Sequence, residues 1–493
     1  MYAIGYDLGS SSIKASIVDI SSGQVIASGK YPEHEMSISA PNLGWAEQNP
    51  EMWWEYTCVL TLQLLQLFPI EVSKIESIGI SYQMHGLVLV DKDYKVLRPS
   101  IIWCDSRAAD IGEQAFRSMG REYCLAHLLN SPGNFTASKL KWVMENEPEI
   151  YDKIYKWMLP GDFIAMKLTG EIATTISGLS EGMFWDFKNH NISQRLMDEY
   201  GFDKEKTPKI VDTFSIQGFV TEKASRECGL NVGIPVTYRA GDQPNNALSL
   251  KAFLPGDVAA TGGTSGVIYG VTDSLLSDPQ SRVNGFAHVN HSKNHNRIGQ
   301  LLCINGCGIL YAWLRRTLGK SELSYDQMEN EIKNVPIGSN GLRILPFGNG
   351  SERILNDQMT GASILNLQFN VHTYAHLFRA GLEGIAFSFT YGIEILKTTG
   401  LEPKTIRVGN DNLFLSEVFS TTMANLLQCD IEMYETTGAV GAAKASMVAT
   451  GVHKNIESAI SDMKPIKIFK HQENNSEILE IYASWMTYLK HNI

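Results

Sequence analysis

Two segments of this chain repeat one plan, and that plan restricts the folds open to it. YAIGYDLGSSSIKASIVD at 2–19 and DVAATGGTSGVIYGVT at 257–272 each read as an apolar strand, a turn of Gly and small hydroxyl residues, and a second apolar strand. QVIASG at 24–29 adds a third strand to the first copy, which makes it an antiparallel meander. The two copies share little identity, but the pattern recurs half a chain apart. This predicts two domains with a common core topology, each presenting one Gly-rich turn. A length of 493 residues agrees, because one hydrophobic core seldom serves more than about 250–300 residues. Such turns offer backbone N–H groups and hydroxyls to phosphate oxygens, although Gly and Ser are also ordinary hairpin residues.

Between the copies lies VTYRAGDQPNNALSL, at 236–250. An apolar run reaches Ala240-Gly241, exposes Asp242 and Gln243, and passes through Pro244 into a helical segment. A carboxylate on a strand-to-helix corner, between two possible phosphate cradles, suits the base of a phosphoryl transfer. It equally suits an N-cap for the helix. No low-complexity linker interrupts the chain, so this corner is also the expected domain boundary, giving 1–245 and 246–493.

Two further corners end apolar strands, where α/β proteins hold their ligands. One is Gln83–Gly86; the other is Trp103–Arg107, ahead of a helix. His85, Asp105 and Arg107 suit sugar hydroxyls and Trp103 suits the apolar face of a sugar, while a turn histidine and a helix-capping Asp105 are the plainer alternatives. Asn49, Pro50 and Glu51 predict a helix start. ASKLKWVMENEPEIYDKI reads as a helix stopped at Pro148, RILPFGNGSER as a loop, and TYAHLFRAGLEGIAFSFTYGIEILK as a long helix. The small residues of TTGAVGAAKASMVATG predict close helix packing.

A net charge of −11 argues against a nucleic-acid partner, whose phosphates require a basic face. Asp7 and Lys14 stand too early for a signal peptide, and no apolar run reaches about 18 residues. A cytoplasmic protein without membrane attachment is expected. The seven scattered cysteines include no CxxC; Cys303 and Cys307, four apart, lack companions for a zinc site, so reduced core thiols are expected.

In order along the chain stand DLGSSSIK, QMHG, WCDSR, SKLKWVMEN, LPGDFIAMKLTGE, AGDQ, TGGTSG, NGCGI, HLFRAGLEGIAF and GAVGAA. Together they resemble the FGGY carbohydrate kinases over essentially the whole length. The resemblance implies an α/β chain of two ribonuclease-H-like domains of the actin and hexokinase ATPase type flanking a catalytic cleft. Sugar would sit on the N-terminal side and ATP mainly on the C-terminal side. It implies Asp242 as general base, Asp7 at a magnesium ion, and Met84, His85, Trp103, Asp105 and Gln243 around the sugar. Gly9, Ser10, Ser11 and Lys14, with Gly262, Gly263, Thr264 and Ser265, would hold ATP phosphates, and Gly306, Gly409 and Asn412 would border the nucleoside. The chain departs from the family at Gly409-Asn410-Asp411-Asn412, where many relatives have Gly-Gly-Gly or Gly-Gly-Ala, and at Asn134 and Asn366. No Walker A sequence is present. The implied reaction is ATP-dependent phosphorylation of a ketopentose, D-xylulose before ribulose, fuculose or glycerol, since Met84-His85 stands where a glycerol kinase normally has Arg-Glu. A non-catalytic binding protein on the same frame is the alternative from another class. A homodimer is the default assembly.

Overall fold

The computed structural model describes residues 1–68, 70–473 and 475–492. Strands β1 (Tyr2–Leu8), β2 (Ile13–Asp19) and β3 (Val25–Tyr31) form the expected antiparallel meander, with Asp7 opposite Lys14. β4 (Ile75–Tyr82) and β5 (Val236–Gly241) extend it on the β1 side, both running parallel to β1, in the order β5-β4-β1-β2-β3. Three parallel neighbours therefore end together, and their carboxyl ends carry Asp7, Gln83 and Asp242. The later copy does the same. β6 (Asp257–Gly262) and β7 (Gly266–Thr272) are antiparallel, β8 (Ile298–Ile304) follows outward, and β9 (Thr405–Gly409) and β10 (Ile431–Tyr434) add in parallel on the other side. With β11 (Lys467–Phe469) at one edge, and leaving out the short strand Asn284–Ala287 at the other, six of the sheet's seven strands run in the order β8-β7-β6-β9-β10-β11. Each sheet thus has its third, second, first, fourth and fifth strands side by side, the shared topology that the two Gly-rich turns predict.

The chain divides into two compact units, and the division is not linear. The first holds Met1–Phe253, Gly285–Ile298 and Thr436–Lys464; the second holds Leu254–Asn284, Gly299–Glu435 and the described residues from Pro465 on. The boundary expected at 245/246 falls inside a helix, and two later segments return to the first unit. A linear reading does not contain such returns, because they are fixed by packing across distant parts of the chain.

Helix α1 (Pro50–Leu67) starts as expected: Asn49 accepts a hydrogen bond from the Glu51 N–H at 3.0 Å and Pro50 takes the first position. It buries Trp53, Trp54, Leu60 and Leu64 in the core of the first unit. Helix α2 (Thr136–Asn146) ends before Pro148, but Pro148 opens a further helix to Lys153, since proline fits a helix's first turn as well as it ends one. Helix α3 (Asp242–Ser249) has Gly241 at its N-cap, so Asp242 is the first helical residue and not the cap. In the second unit, α4 (Gly308–Thr317) and the long, largely buried α5 (Tyr374–Lys397) line the core. Arg343–Leu345, expected as loop, pairs with Ser363–Leu365 as a strand; the remainder of that segment turns.

Helix α6 (Gly438–Ala449) lies on the first sheet with almost no side chain between the two backbones. A Cβ on Gly5 would meet the Ala439 carbonyl at 2.0 Å, and one on Gly79 would meet that of Ala442 at 2.0 Å. The Ser77 and Ser446 hydroxyls bond at 2.7 Å across the same contact. Gly79→Ala should therefore force helix from sheet and destabilise by about 1–3 kcal/mol, lowering the melting temperature by roughly 2–4 °C per kcal/mol. Differential scanning calorimetry of the variant checks this; an unchanged transition would mean that the helix does not sit against the strand.

Candidate active site

The parallel register places Asp7 beside Ser81 and Ala240 beside Ser81 on the other flank. Ser81 Oγ donates to Asp7 Oδ1 at 2.8 Å and orients that carboxylate. The first turn of α6 approaches the same group: a Cβ on Gly438 would lie 2.8 Å from Asp7 Oδ2. Asn245, on α3, donates to the Gly438 carbonyl at 2.9 Å and so ties the helix that begins with Asp242 to the helix that faces Asp7.

Burial pushes the Asp242 carboxyl up to about 7, and the negative charge of Asp7 pushes in the same direction. Backbone N–H groups at Gln243 and Asp242 and the Lys14 ammonium oppose the rise. The result is a carboxylate that ionises near neutrality, the condition under which it can accept a proton from an alcohol and release it again. Burial first, and then the charges of Asp242 and Asp162, raise the fully buried Glu181 carboxyl well above its ordinary range. Hydrogen bonds from the Tyr82 hydroxyl and the His85 N–H oppose that rise. Nothing about Glu181 in the linear sequence marks it; only the fold brings it to the base.

The strand-end corner after β4 has unusual backbone geometry. His85 is left-handed with φ +63°, which costs a residue other than glycine about 1–3 kcal/mol. Its Nδ1 lies 3.0 Å from the Glu181 carbonyl, and its ring packs edge-on against Phe135 at 4.7 Å. Met84 is buried, with its side chain against the Gly241 backbone, and Gln83 donates to Gln48 at 3.3 Å. At the second corner Trp103 is 53% exposed and its Nε1 donates to Ser10 Oγ at 3.3 Å, which joins this corner to the Gly9–Ser12 turn. In that turn Gly9 N–H closes on the Ser12 carbonyl at 3.1 Å, Ser11 is exposed, and Lys14 is exposed opposite Asp7.

Asp105 departs from its reading as a helix cap. The following helix begins at Ala109 with Ala108 as cap. The Asp105 carboxylate has no exposed surface, accepts from the Ala46 N–H at 2.6 Å, and pairs with Arg107 Nη2 at 2.7 Å. The Arg107 side chain is also buried, pairs with Glu47 at 2.7 Å and stacks on Trp45 at 3.8 Å. A guanidinium two residues along captures the carboxylate, and the pair becomes a strut inside the corner.

In the second unit, the turn after β6 meets the start of α4: the Gly308 N–H donates to the Gly263 carbonyl at 2.9 Å. A Cβ on Gly308 would lie 2.6 Å from that oxygen, so the approach needs glycine. Gly262, Gly263 and Thr264 line a cavity of about 530 Å³ with Asn412, Tyr311, Tyr325 and Glu329. Its size suits a nucleotide-sized ligand. Ser265 is exposed in the same turn, and Gly409 closes strand β9 just before the Asn412 segment. Gly306 instead lines a neighbouring cavity of about 470 Å³ with Trp313, Ile344 and Pro346. Tyr325 and Glu329 are lining residues that the sequence motifs do not mark. Among the described residues no cluster of three or more His, Cys, Asp or Glu is arranged to hold a metal, all seven cysteines are free, and no helix is long and apolar enough to cross a membrane.

Comparison with known proteins matches this arrangement to one family. The model "FGGY family of carbohydrate kinases, N-terminal domain" matches residues 2–249, and the corresponding C-terminal domain model matches 258–450. The xylulose kinase of Bacillus subtilis is 28% identical over 92% of this chain and 90% of its own length. That of Escherichia coli is 26% identical over 94% and 92%. A crystal structure of xylulose kinase from Rhodospirillum rubrum superposes with a TM-score of 0.89 at 26% identity, covering 100% of this chain and 99% of the other. The two sheets are accordingly those of the actin and hexokinase type of ATPase. This chain belongs to the FGGY family of carbohydrate kinases.

Proposed function

We propose that the chain transfers the γ-phosphate of ATP to a hydroxyl of a ketopentose, D-xylulose before other ketoses or polyols, with Asp242 as the general base. The observation that carries this reading is the Asp242 carboxyl at a strand end, raised to about 7. Met84 and His85 would meet the ketose, Trp103 would cover it and Gln243 would bond to it, while Asp105 would act from behind the corner as a strut. The relatives named xylulose kinase and the Met84-His85 pair support the choice of sugar. Gly262, Gly263, Thr264 and Ser265 would cradle the ATP phosphates, with Asn412 on the nucleoside side, Gly409 behind it and Gly306 at the adjoining cavity. In the first unit, Gly9, Ser10, Ser11 and Lys14 are proposed as phosphate-binding residues. Work in the cytoplasm and assembly as a homodimer belong to the same proposal.

The donor set fits Mg²⁺, which binds through one or two carboxylates with phosphates and water completing an octahedron, and not a metal needing a protein cage. Asp7, oriented by Ser81, would hold it. Bound there, the ion neutralises charge on the β and γ oxygens. The residues do the rest by position: the acceptor hydroxyl is oriented at the ends of β4 and β5, and its proton passes to Asp242 as the oxygen attacks. In-line transfer needs little more than this alignment and charge balance.

Asp242→Asn keeps the shape and removes the basic oxygen, so turnover should fall on the order of a hundred- to ten-thousand-fold while ketose binding by calorimetry persists. A folded variant with near-normal turnover would remove Asp242 from the role.

The pH dependence carries a sign in each of two measurements. As a base Asp242 must be ionised, so kcat/KM for the ketose should rise with pH and level off above about 7. For stability the sign is opposite. The folded carboxyl keeps its proton up to about 7, whereas in the unfolded chain it loses it near 3.8, so its contribution is fully present below 3.8 and is lost as pH rises through 7. Asp242→Asn should therefore match the parent in stability at pH 4 and exceed it at pH 8, as read by denaturant titration. A constant difference between the two proteins at both pH values would contradict the raised pKa.

A further inference from the structure

Lys139, on α2, has no exposed surface although it carries an amine. Its Nζ donates to the His85 carbonyl at 2.8 Å and to the Ile102 carbonyl at 2.9 Å. These are the two corners assigned above to the sugar. The same end of α2 reaches them twice more: Asn134 Nδ2 donates to the Asp105 carbonyl, and Thr136 Oγ1 to the Gly86 carbonyl at 3.4 Å. Burial pushes the Lys139 amine down to about 7, with Asp105 opposing. Even a neutral amine has two N–H donors, enough for both carbonyls. Packing alone would be served by Met at lower cost, because an amine loses its hydration on burial and Met does not. The amine is accounted for by the carbonyls that it holds.

We propose that Lys139 is a positioning residue for the sugar, which locks the left-handed His85 and the Ile102–Asp105 corner into one rigid acceptor surface. The inference rests on the reading of these corners as the ketose site. His85 occupies a backbone conformation that a free loop would leave, and each group bonded to it opposes that escape: Lys139 at its carbonyl, Glu181 at its N–H and Nδ1, and Phe135 at its ring. Without the amine, the His85 and Ile102 carbonyls lose the donor that they share, and the two corners are held together less firmly. The ketose then meets a surface that must be ordered on binding, which weakens affinity without touching the ATP cavity of the second unit.

The test is steady-state kinetics of Lys139→Met, His85→Ala and the double variant, with both substrates titrated and melting temperature measured on each preparation. Lys139→Met should raise the KM for D-xylulose roughly ten- to a hundred-fold, leave the KM for ATP within about twofold, and melt at or above the parent temperature, because a buried amine has been replaced by a side chain of similar shape. The double variant should lose less for the sugar than the two single losses combined, since part of the lysine's effect runs through the His85 ring. An unchanged sugar KM in Lys139→Met beside a raised one in His85→Ala overturns the positioning role and leaves the site reading intact. An unchanged KM in His85→Ala overturns the site reading and the inference with it. Additive losses in the double variant, or a lowered melting temperature with both substrates affected equally, also overturn it. Should Lys139→Met fail to accumulate as folded protein, Asn134→Ala tests the brace from the second corner: a raised sugar KM at constant ATP KM supports it, and parent kinetics overturn it.

Discussion

A helix backbone resting directly on two strand backbones is the contact from which the first unit takes its geometry. At Gly5 and Gly79 there is no space for a side chain, and the facing residues of the helix are Ala439, Ala442 and Ala443. That closeness has a chemical consequence at one end. The strands β1, β4 and β5 finish together, and the same helix begins where they finish, so Gly438 in its first turn lies against Asp7 and the Gly438 carbonyl is tied through Asn245 to the helix that carries Asp242. A helix held off by ordinary side chains would start several ångströms away. The two carboxylates would then lack the surroundings that distinguish them.

Those surroundings assign different work to chemically identical groups. Asp7 has a hydroxyl donor and the first turn of a helix beside it. Asp242 is pushed toward neutrality by burial and by Asp7 itself, and burial also raises Glu181. The carboxyl groups are set for different work: one would stand by a cation, one would exchange a proton, and one anchors the backbone of His85. Pairs of titratable groups whose environments separate their pKa values are the usual mark of divided catalytic labour.

The parts of this arrangement that follow local rules were legible in the residues. Strand, glycine turn and strand at both ends gave the shared sheet order, and Asp242 stood out because a polar pair after an apolar run must lie at a strand end. The parts that depend on distant packing were not. Lys139 lies in a segment that reads only as a helix; nothing in linear order shows that the tertiary fold buries it under two corners. Asp105 looked like a cap or a hydroxyl acceptor because the pairing with Arg107 and the Ala46 N–H cannot be seen in linear order. The return of residues 436–464 to the first unit was likewise invisible, although the small-residue helix within it had been read correctly as a close-packing element.

The account rests on Asp242 as a carboxyl group that ionises near neutrality in the ligand-free protein. Its titration can be followed directly by carbon NMR of protein labelled at aspartate side-chain carboxyls, with Asp242→Asn identifying the resonance. The account predicts a midpoint near 7 for that resonance. A midpoint near the ordinary aspartate value of about 4 would contradict it, because a carboxylate so weakly basic would have neither the burial nor the neighbouring charge on which the proposed chemistry depends.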